Sequence, residues 1–465
     1  MQYEPKDVMP DLKRVLEKAI RERDLSTIRQ MLEQQSPQDI ANLLDGLKMQ
    51  DQVIVFRLLP RNTSATVFEY LNTGAQEVLL KAMGQADVAA LLNDMAPDDR
   101  THLLEELPAS GTNQMLALLT AEERAIAISL LGYPEDSIGR LMTPDYVKVR
   151  QDWTVERVLD HIRQYGHDSE TLSTIYVVDE QDVLMDDIRI RNILLASAET
   201  RVAELMDNKF VALKAADDQE IAVSIFRRED LTALPVTDSS GILIGIVTVD
   251  DVLDVAEAEA TEDIQKIGGV EVLDEPFMQI ALTRMIRKRA SWLIVLFLGE
   301  MLTATAMSFF EAQIAQAVVL ALFVPLVISS GGNSGSQAAT LVIRALALGE
   351  LTLRDWSRVI WREILSGFAL GLLLGAIGFV RIALWSAFFK AYGEHWFQVG
   401  LTVGMALVGV VLWGTVVGSM LPFVLQRIGL DPATSSAPFV ATLVDVTGLV
   451  IYFSAAILIL RGTLL

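Results

Sequence analysis

The chain has 465 residues, a formal net charge of −22 and no cysteine. That length exceeds a single compact domain, the missing thiols exclude disulfides and thiolate metal sites, and so acidic a surface disfavours nucleic acid and anionic lipid as partners while favouring cations. From Ser291 onward eight acids and eight bases cancel, so the whole charge excess lies on residues 1–290, ahead of an almost continuously apolar remainder.

Met1 to Asp24 is charged and polar rather than a secretory leader, and the acidic half is therefore expected in the cytoplasm. As far as about Tyr133, apolar residues recur three and four apart, as in Ile40, Leu43, Leu44 and in Val67, Phe68, Leu71, which predicts short helices. LLPRNTSATVFEYL and LLNDMAPDDRTHLLEELP look like degenerate copies of one hairpin, the pattern of a small α-helical solenoid over 1–136. Asp94, Asp98 and Asp99 cluster at one helix start, where capping and the helix dipole favour carboxylates; a metal role for Asp98 is the competing reading.

Between Leu141 and about Glu257 the pattern changes to alternating strand and helix, and it repeats. LMTPDYVKV matches LMDNKFVAL, and TIYVVDEQDVL matches ALPVTDSSGIL, each an apolar strand, an acidic turn and a second strand. The second copy ends GILIGIVTVDDVLD, with Gly245, Thr248 and Asp251 at a strand-to-helix turn. This resembles a tandem pair of α/β CBS domains, over 137–200 and 201–257. The resemblance implies adenine-nucleotide binding, with Thr248, Asp251 and Arg191 as candidate contacts for ATP; helix capping is the alternative role for Thr248 and Asp251. The first copy departs from the pattern, with Asp186, Arg189 and Asn192 in place of the glycine, hydroxyl residue and aspartate.

A run of acids at helical spacing follows, with Asp250, Asp251 and Asp254, then Glu259, Glu262 and Asp263, and few bases among them. Like charges repel along such a helix, so divalent cations between this acidic linking helix, placed over 258–285, and a neighbour would stabilise it; a solvated acidic linker helix is the alternative. Arg284, Arg287, Lys288 and Arg289 then precede the first of five apolar spans, roughly Trp292 to Phe310, Ile314 to Leu348, Ile364 to Phe389, Val399 to Leu425 and Ser435 to Leu460. By the positive-inside rule the basic cluster and GELTLRDWSRVIWRE are cytoplasmic, KAYGEHW is external and the C-terminus lies outside. PLVISSGGNSGSQAAT is expected to interrupt the second span, because its proline and glycines weaken a helix and its polar side chains at membrane depth require a cavity or protein partner; a kinked, close-packed helix is the alternative.

The last span carries one carboxylate, Asp445. An Asp at mid-membrane costs roughly 2.5–3.5 kcal/mol, so it needs a cation, a cavity or a basic partner such as Arg344 or Arg381. Ala441, Thr442, Gly448, Leu449 and Tyr452 share its helical face, and most of that face is small. Glu300, in the first span, is a second intramembrane acid of lower rank.

With GGNSGSQAATLVIRALALGEL and GLDPATSSAPFVATLVDVTGLVIYF placed behind a helical domain, a CBS pair and an acidic linking helix, the chain resembles the MgtE family of magnesium channels over essentially its whole length. That resemblance implies a homodimer in the cell membrane with one ion pathway, in which Asp445 of each subunit holds a hydrated Mg²⁺. It also implies Mg²⁺ bound by Asp251, Asp254, Glu259 and Glu262 between the CBS pair and the linking (plug) helix, by Glu220 and Asp230 within CBS, and by Asp431 at the cytoplasmic membrane face. His102 and Ala437 depart from residues that some members carry. Neither a Walker-type loop nor a phosphorylated-aspartate motif is present, which argues against a pump, and no enzymatic constellation is found. A proton-coupled or exchange carrier, and a non-conducting nucleotide-sensing receptor, are the alternatives.

Overall fold

The computed structural model describes residues 9–273, 277–278, 280–389 and 392–464. Residues 274–276 and 279 of the expected linking helix, and 390–391 of the KAYGEHW connection, lie outside the described residues. The chain divides into two compact units, Met1–Ala256 and Glu257–Leu465.

The first unit opens on short helices in succession: α1 (Met9–Glu22), α2 (Leu25–Leu32), α3 (Pro37–Asp45), α4 (Met49–Phe56), α5 (Arg61–Glu69), α6 (Thr73–Ala82), α7 (Gln85–Asp94), α8 (Pro97–Glu106), α9 (Ala109–Leu118) and α10 (Ala121–Leu131). Several start where the sequence supplies a cap or a proline: Asp24, Ser36, Asn72 and Thr120 accept a backbone N–H from the first turn, and Pro37 and Pro97 occupy positions where no N–H is needed. Packing of α3 on α5, α5 on α7, α7 on α9 and α8 on α10 produces a solenoid with one continuous apolar core.

After α11 (Ile138–Leu141) come two equivalent sheets. In the first, β1 (Lys148–Arg150) pairs in parallel with β2 (Thr174–Val178), which pairs antiparallel with β3 (Leu184–Arg189); in the second, β4 (Leu213–Lys214), β5 (Ala233–Thr237) and β6 (Leu243–Thr248) repeat the arrangement with the same register shift. The acidic turns are equivalent too. Asp179 accepts from the N–H groups of Gln181 and Val183, and Asp238 from those of Ser240 and Ile242, while Asp182 (φ 62°) and Gly241 (φ 84°) take the left-handed position. The copies exchange their leading segments: Thr143, ahead of the first sheet, bridges to Ile246 of the second, and Asp207 and Asn208, ahead of the second, bond to Asp186 of the first. Helices α12 (Val155–Tyr165), α13 (Ile190–Leu195), α14 (Val202–Leu205) and α15 (Gln219–Glu229) complete the pair.

Helix α16 (Val249–Ile267) crosses into the second unit and stops at a glycine cap: Gly269 (φ 70°) donates to Lys266 and Val270 to Gln265, the paired bonds of a Schellman end. The helix over 258–285 anticipated from acid spacing alone therefore ends at Ile267, because spacing of charges does not register the two consecutive glycines. Among the described residues, five helices are long and apolar enough to cross a membrane. Of these, α17 (Leu282–Phe309) precedes the short α18 (Glu311–Gln316), and α19 (Val324–Ala347), α20 (Trp356–Phe389), α21 (Trp396–Arg427) and α22 (Ala437–Leu460) follow.

The expected interruption of the second span does not occur. Helix α19 runs unbroken through SGGNSGS, and the irregular backbone lies ahead of it, in the 3-10 turn Val318–Phe323. Pro325 falls in the first turn, where a missing N–H costs nothing, and the hydroxyls of Ser330 and Thr340 bond to carbonyls four residues back. The glycines serve contact rather than bending: a Cβ added at Gly335 would lie 2.9 Å from the carbonyl oxygen of Gly414 on α21. On α20, Gly367, Gly371, Gly375 and Gly378 form a similar face against α21.

Gly375→Val should therefore destabilise the bundle by about 1–3 kcal/mol or more, since its Cβ would stand 2.7 Å from the carbonyl oxygen of Gly404. Loss of a monodisperse, thermally cooperative species in detergent measures this, with Leu373→Val on the exposed side of the same helix as the neutral control.

Candidate cation sites

Asp445 projects from α22 into a cavity of about 260 Å³, lined by Pro325, Ile328, Ser329, Gly332 and Asn333 of α19 and by Ala441 beside it. Two residues keep this space open. A Cβ on Gly332 would sit 3.4 Å from both Asp445 Oδ1 and Ala441 Cβ, so any larger pair of residues would close the cavity against the carboxylate. Six waters at about 30 Å³ each fit such a volume. Neither Arg344 nor Arg381 pairs with Asp445 among the described residues; Arg381 instead stacks on Trp385, 3.5 Å from the ring centre. Ala441 lines the cavity as the face argument anticipated, whereas Gly448, Leu449 and Tyr452 are buried in packing, with the Tyr452 hydroxyl donating to the Leu320 carbonyl at 2.8 Å.

Within the first unit, Asp98 and Asp99 at the start of α8 meet Asp250 and Asp251 at the start of α16, together with Glu170 of the first CBS copy and Glu69 at the end of α5. Asp98 is 7% exposed, and its Oδ1 has no hydrogen-bond partner among the described residues. Burial, then the Asp251 charge, holds its carboxyl well above the ordinary range; burial, then Glu69, pushes Asp99 up to about 8. Asp251 is raised to about 6 by burial, against the lowering effect of the Thr248 hydroxyl, which donates to its Oδ2 at 2.6 Å. The base next to Asp99, Arg100, does not relieve this charge. Fully buried, it donates to the Leu92 and Met95 carbonyls and pairs with Glu123. Glu69 and Glu170 gave no signal in the sequence, because each joins the cluster only through tertiary packing.

Asp254 lies one turn beyond Asp251 and acts on it electrostatically. Glu220 and Asp230 stand at opposite ends of α15, about 15 Å apart by helical rise, and so do not share one site. Thr248 and Asp251 form the cap-like pair expected at the β6–α16 turn, whereas Arg191 is exposed on α13. In the first copy the residue equivalent to Gly245 is Asp186, which is fully buried and accepts the N–H groups of Asp207 and Asn208, at 2.9 and 3.0 Å. That carboxylate fills the turn which the glycine leaves open in the second copy.

In the second unit Glu262 and Asp431 are brought together by a base that the acid pattern did not single out. Lys266 pairs with Glu262 and donates to Asp431 Oδ2 at 2.7 Å, which holds its ammonium well above the ordinary lysine range despite burial. Asp263 is raised to about 6 by burial, then by Asp431 and Glu259.

A carboxyl that holds its proton longer in the folded than in the unfolded state destabilises the fold as pH rises through that interval. With cations chelated, the melting temperature should fall between about pH 4 and pH 8, the window set by Asp99 and Asp251. Asp99→Asn should flatten that slope and gain about 2–4 °C at pH 8, as read by thermal melts across pH.

Residues 324–455 match the MgtE family, described as a divalent cation transporter; 35–136 match the MgtE intracellular N domain, and 138–199 and 202–258 match CBS domains. The magnesium transporter MgtE of Thermus thermophilus is 41% identical over 96% of this chain and 98% of its own length, and that of Bacillus subtilis 30% identical over 90% and 93%. A crystal structure of the cytosolic domain of the Mg²⁺ channel MgtE in complex with ATP is 39% identical, with a TM-score of 0.50, covering 52% of this chain and 99% of that one. The chain is a multi-pass membrane protein and belongs to the MgtE family of divalent cation transporters.

Proposed function

We propose that this protein is a Mg²⁺-selective channel for magnesium uptake, a homodimer in the cell membrane with its N-terminus cytoplasmic and C-terminus outside, closed by intracellular Mg²⁺ on its acidic cytoplasmic domains. The observation that carries the reading is Asp445 facing a 260 Å³ cavity instead of an arginine. Mg²⁺ dehydrates reluctantly and is commonly held by one or two carboxylates with its waters kept, and the small residues Gly332 and Ala441 leave room for those waters. No energy source is needed: a divalent ion gains about 4.6 kcal/mol on entering at 100 mV, twice the value for one charge.

Closure follows from the acids. At high internal Mg²⁺, ions at Asp98 with Asp251, at Asp254 and Glu259, at Glu220, at Asp230, and at Glu262 with Asp431 offset carboxylate repulsion and hold a compact state in which the linking helix blocks the cytoplasmic mouth. When the ions leave, repulsion favours the open arrangement. Asp98 supports this part most directly, as a buried carboxylate oxygen with no partner of its own. ATP is the second proposed ligand, at the second CBS copy through Thr248 and Asp251, with Arg191 contributing; the family's cytosolic domain crystallised with ATP supports it.

Asp445→Ala should abolish Mg²⁺ flux into liposomes without unfolding the protein; normal flux, proton-driven exchange or no flux in the wild type would each end the channel reading. Neutralising Asp251, Asp254, Glu259 and Glu262 to Asn and Gln should remove the dependence of patch currents on cytoplasmic Mg²⁺. By calorimetry on the whole chain, Asp251→Ala should weaken ATP binding at least ten-fold, a loss of about 1.4 kcal/mol.

A further inference from the structure

Four carboxylates and one ammonium gather near the end of α16. Lys266 pairs with Glu262 one turn back and donates to Asp431 Oδ2 at 2.7 Å, while Asp263 and Glu259 lie alongside. The acceptor is held in place, because Asp431 Oδ1 takes the N–H of Ala433 at 2.8 Å in the turn leading to α22. So is the backbone after the lysine. Gly269 lies against Trp292 and Pro438, where no Cβ would fit, and the Trp292 indole N–H donates to Ser436 Oγ at 3.0 Å. The ammonium sits at the end of a flexible four-carbon stem. The side chains of Lys266, Glu262 and Asp431 are 26%, 33% and 35% exposed, so ions from water reach the group and the ammonium can leave it.

Two carboxylates gripping one positive group is an arrangement that a bridging divalent cation could also adopt, and among the described residues Glu262, Asp263 and Asp431 face one lysine, which leaves the junction negative. We propose that Lys266 is a built-in competitor: its ammonium occupies the place between Glu262 and Asp431 that a divalent cation takes, and so sets the cation concentration at which the pathway closes. This rests on the reading of Glu262 and Asp431 as cation ligands. With no ion bound, the ammonium limits repulsion and keeps the junction assembled. A divalent cation entering must displace it, which weakens binding by the worth of two partly exposed ion pairs.

The test is the half-inhibitory cytoplasmic Mg²⁺ of the full chain in excised patches. Lys266→Met should lower it about three- to ten-fold, whereas Lys266→Arg, which keeps the charge, should stay near wild type. In chelator Lys266→Met should melt below wild type, and Mg²⁺ should restore it. A raised or unchanged half-inhibitory concentration, or a melting deficit that Mg²⁺ does not restore, overturns the proposal and makes Lys266 a structural strut. Inhibition of the wild type that survives in a Glu262→Gln, Asp431→Asn variant at an unaltered concentration instead overturns the reading of those two acids as ligands, and the competitor with it.

Discussion

A carboxylate inside an apolar span stays ionised only beside water or a counter-charge, and the membrane unit is built around that constraint. The arginines that could have neutralised Asp445 are used or placed elsewhere, Arg381 on the face of Trp385. What remains is water in a cavity, and one side of α19 supplies the cavity wall through Gly332, Ser329 and Asn333. The adjoining side of α19 is thin as well. Gly331 and Gly335 press on α21, and α21 returns the contact with Gly414 and Gly418, backbone against backbone. The glycine face of α20 against α21 extends the same solution to the next helix.

Outside the membrane, acids gathered without bases have three ways to settle: a proton, a cation or a lysine. Burial, and then neighbouring acids, hold the carboxyls of Asp98 and Asp99 above the ordinary range, burial raises Asp251 too, and Arg100 is spent on Glu123 and two carbonyls. At Glu262 and Asp431 the lysine is present instead, and the pairing is partly exposed. Similar acids therefore face an incoming cation with different competitors, protons in the first case and an ammonium in the second.

Much of this was legible in the residues. The CBS repeat was read from matched strands and acidic turns, and the turns prove equivalent down to the carboxylates of Asp179 and Asp238 bonding the same backbone positions. Asp445 was legible because a lone charge in an apolar run has no local explanation. The course of α19 was not, since Gly and Ser weaken an isolated helix but in a bundle permit the contacts that hold it. Glu170 and Lys266 were missed for a related reason: what matters about them is a neighbour far away in sequence, Asp250 in one case and Asp431 in the other.

The number of acids on α16 is a poor guide to what they do. Repulsion between carboxylates one turn apart on a helix amounts to tenths of a kcal/mol per pair, whereas moving a two-state equilibrium from 1:99 to 99:1 takes about 5.5 kcal/mol. Spacing along the helix cannot supply that difference. Burial can, because a charge removed from water interacts far more strongly with its neighbours. Half-buried Asp251 faces another element's acids, whereas Glu262, also half-buried, shares a base. The leverage of an acid on this helix is thus set by what faces it, Asp98 at one end and Lys266 at the other.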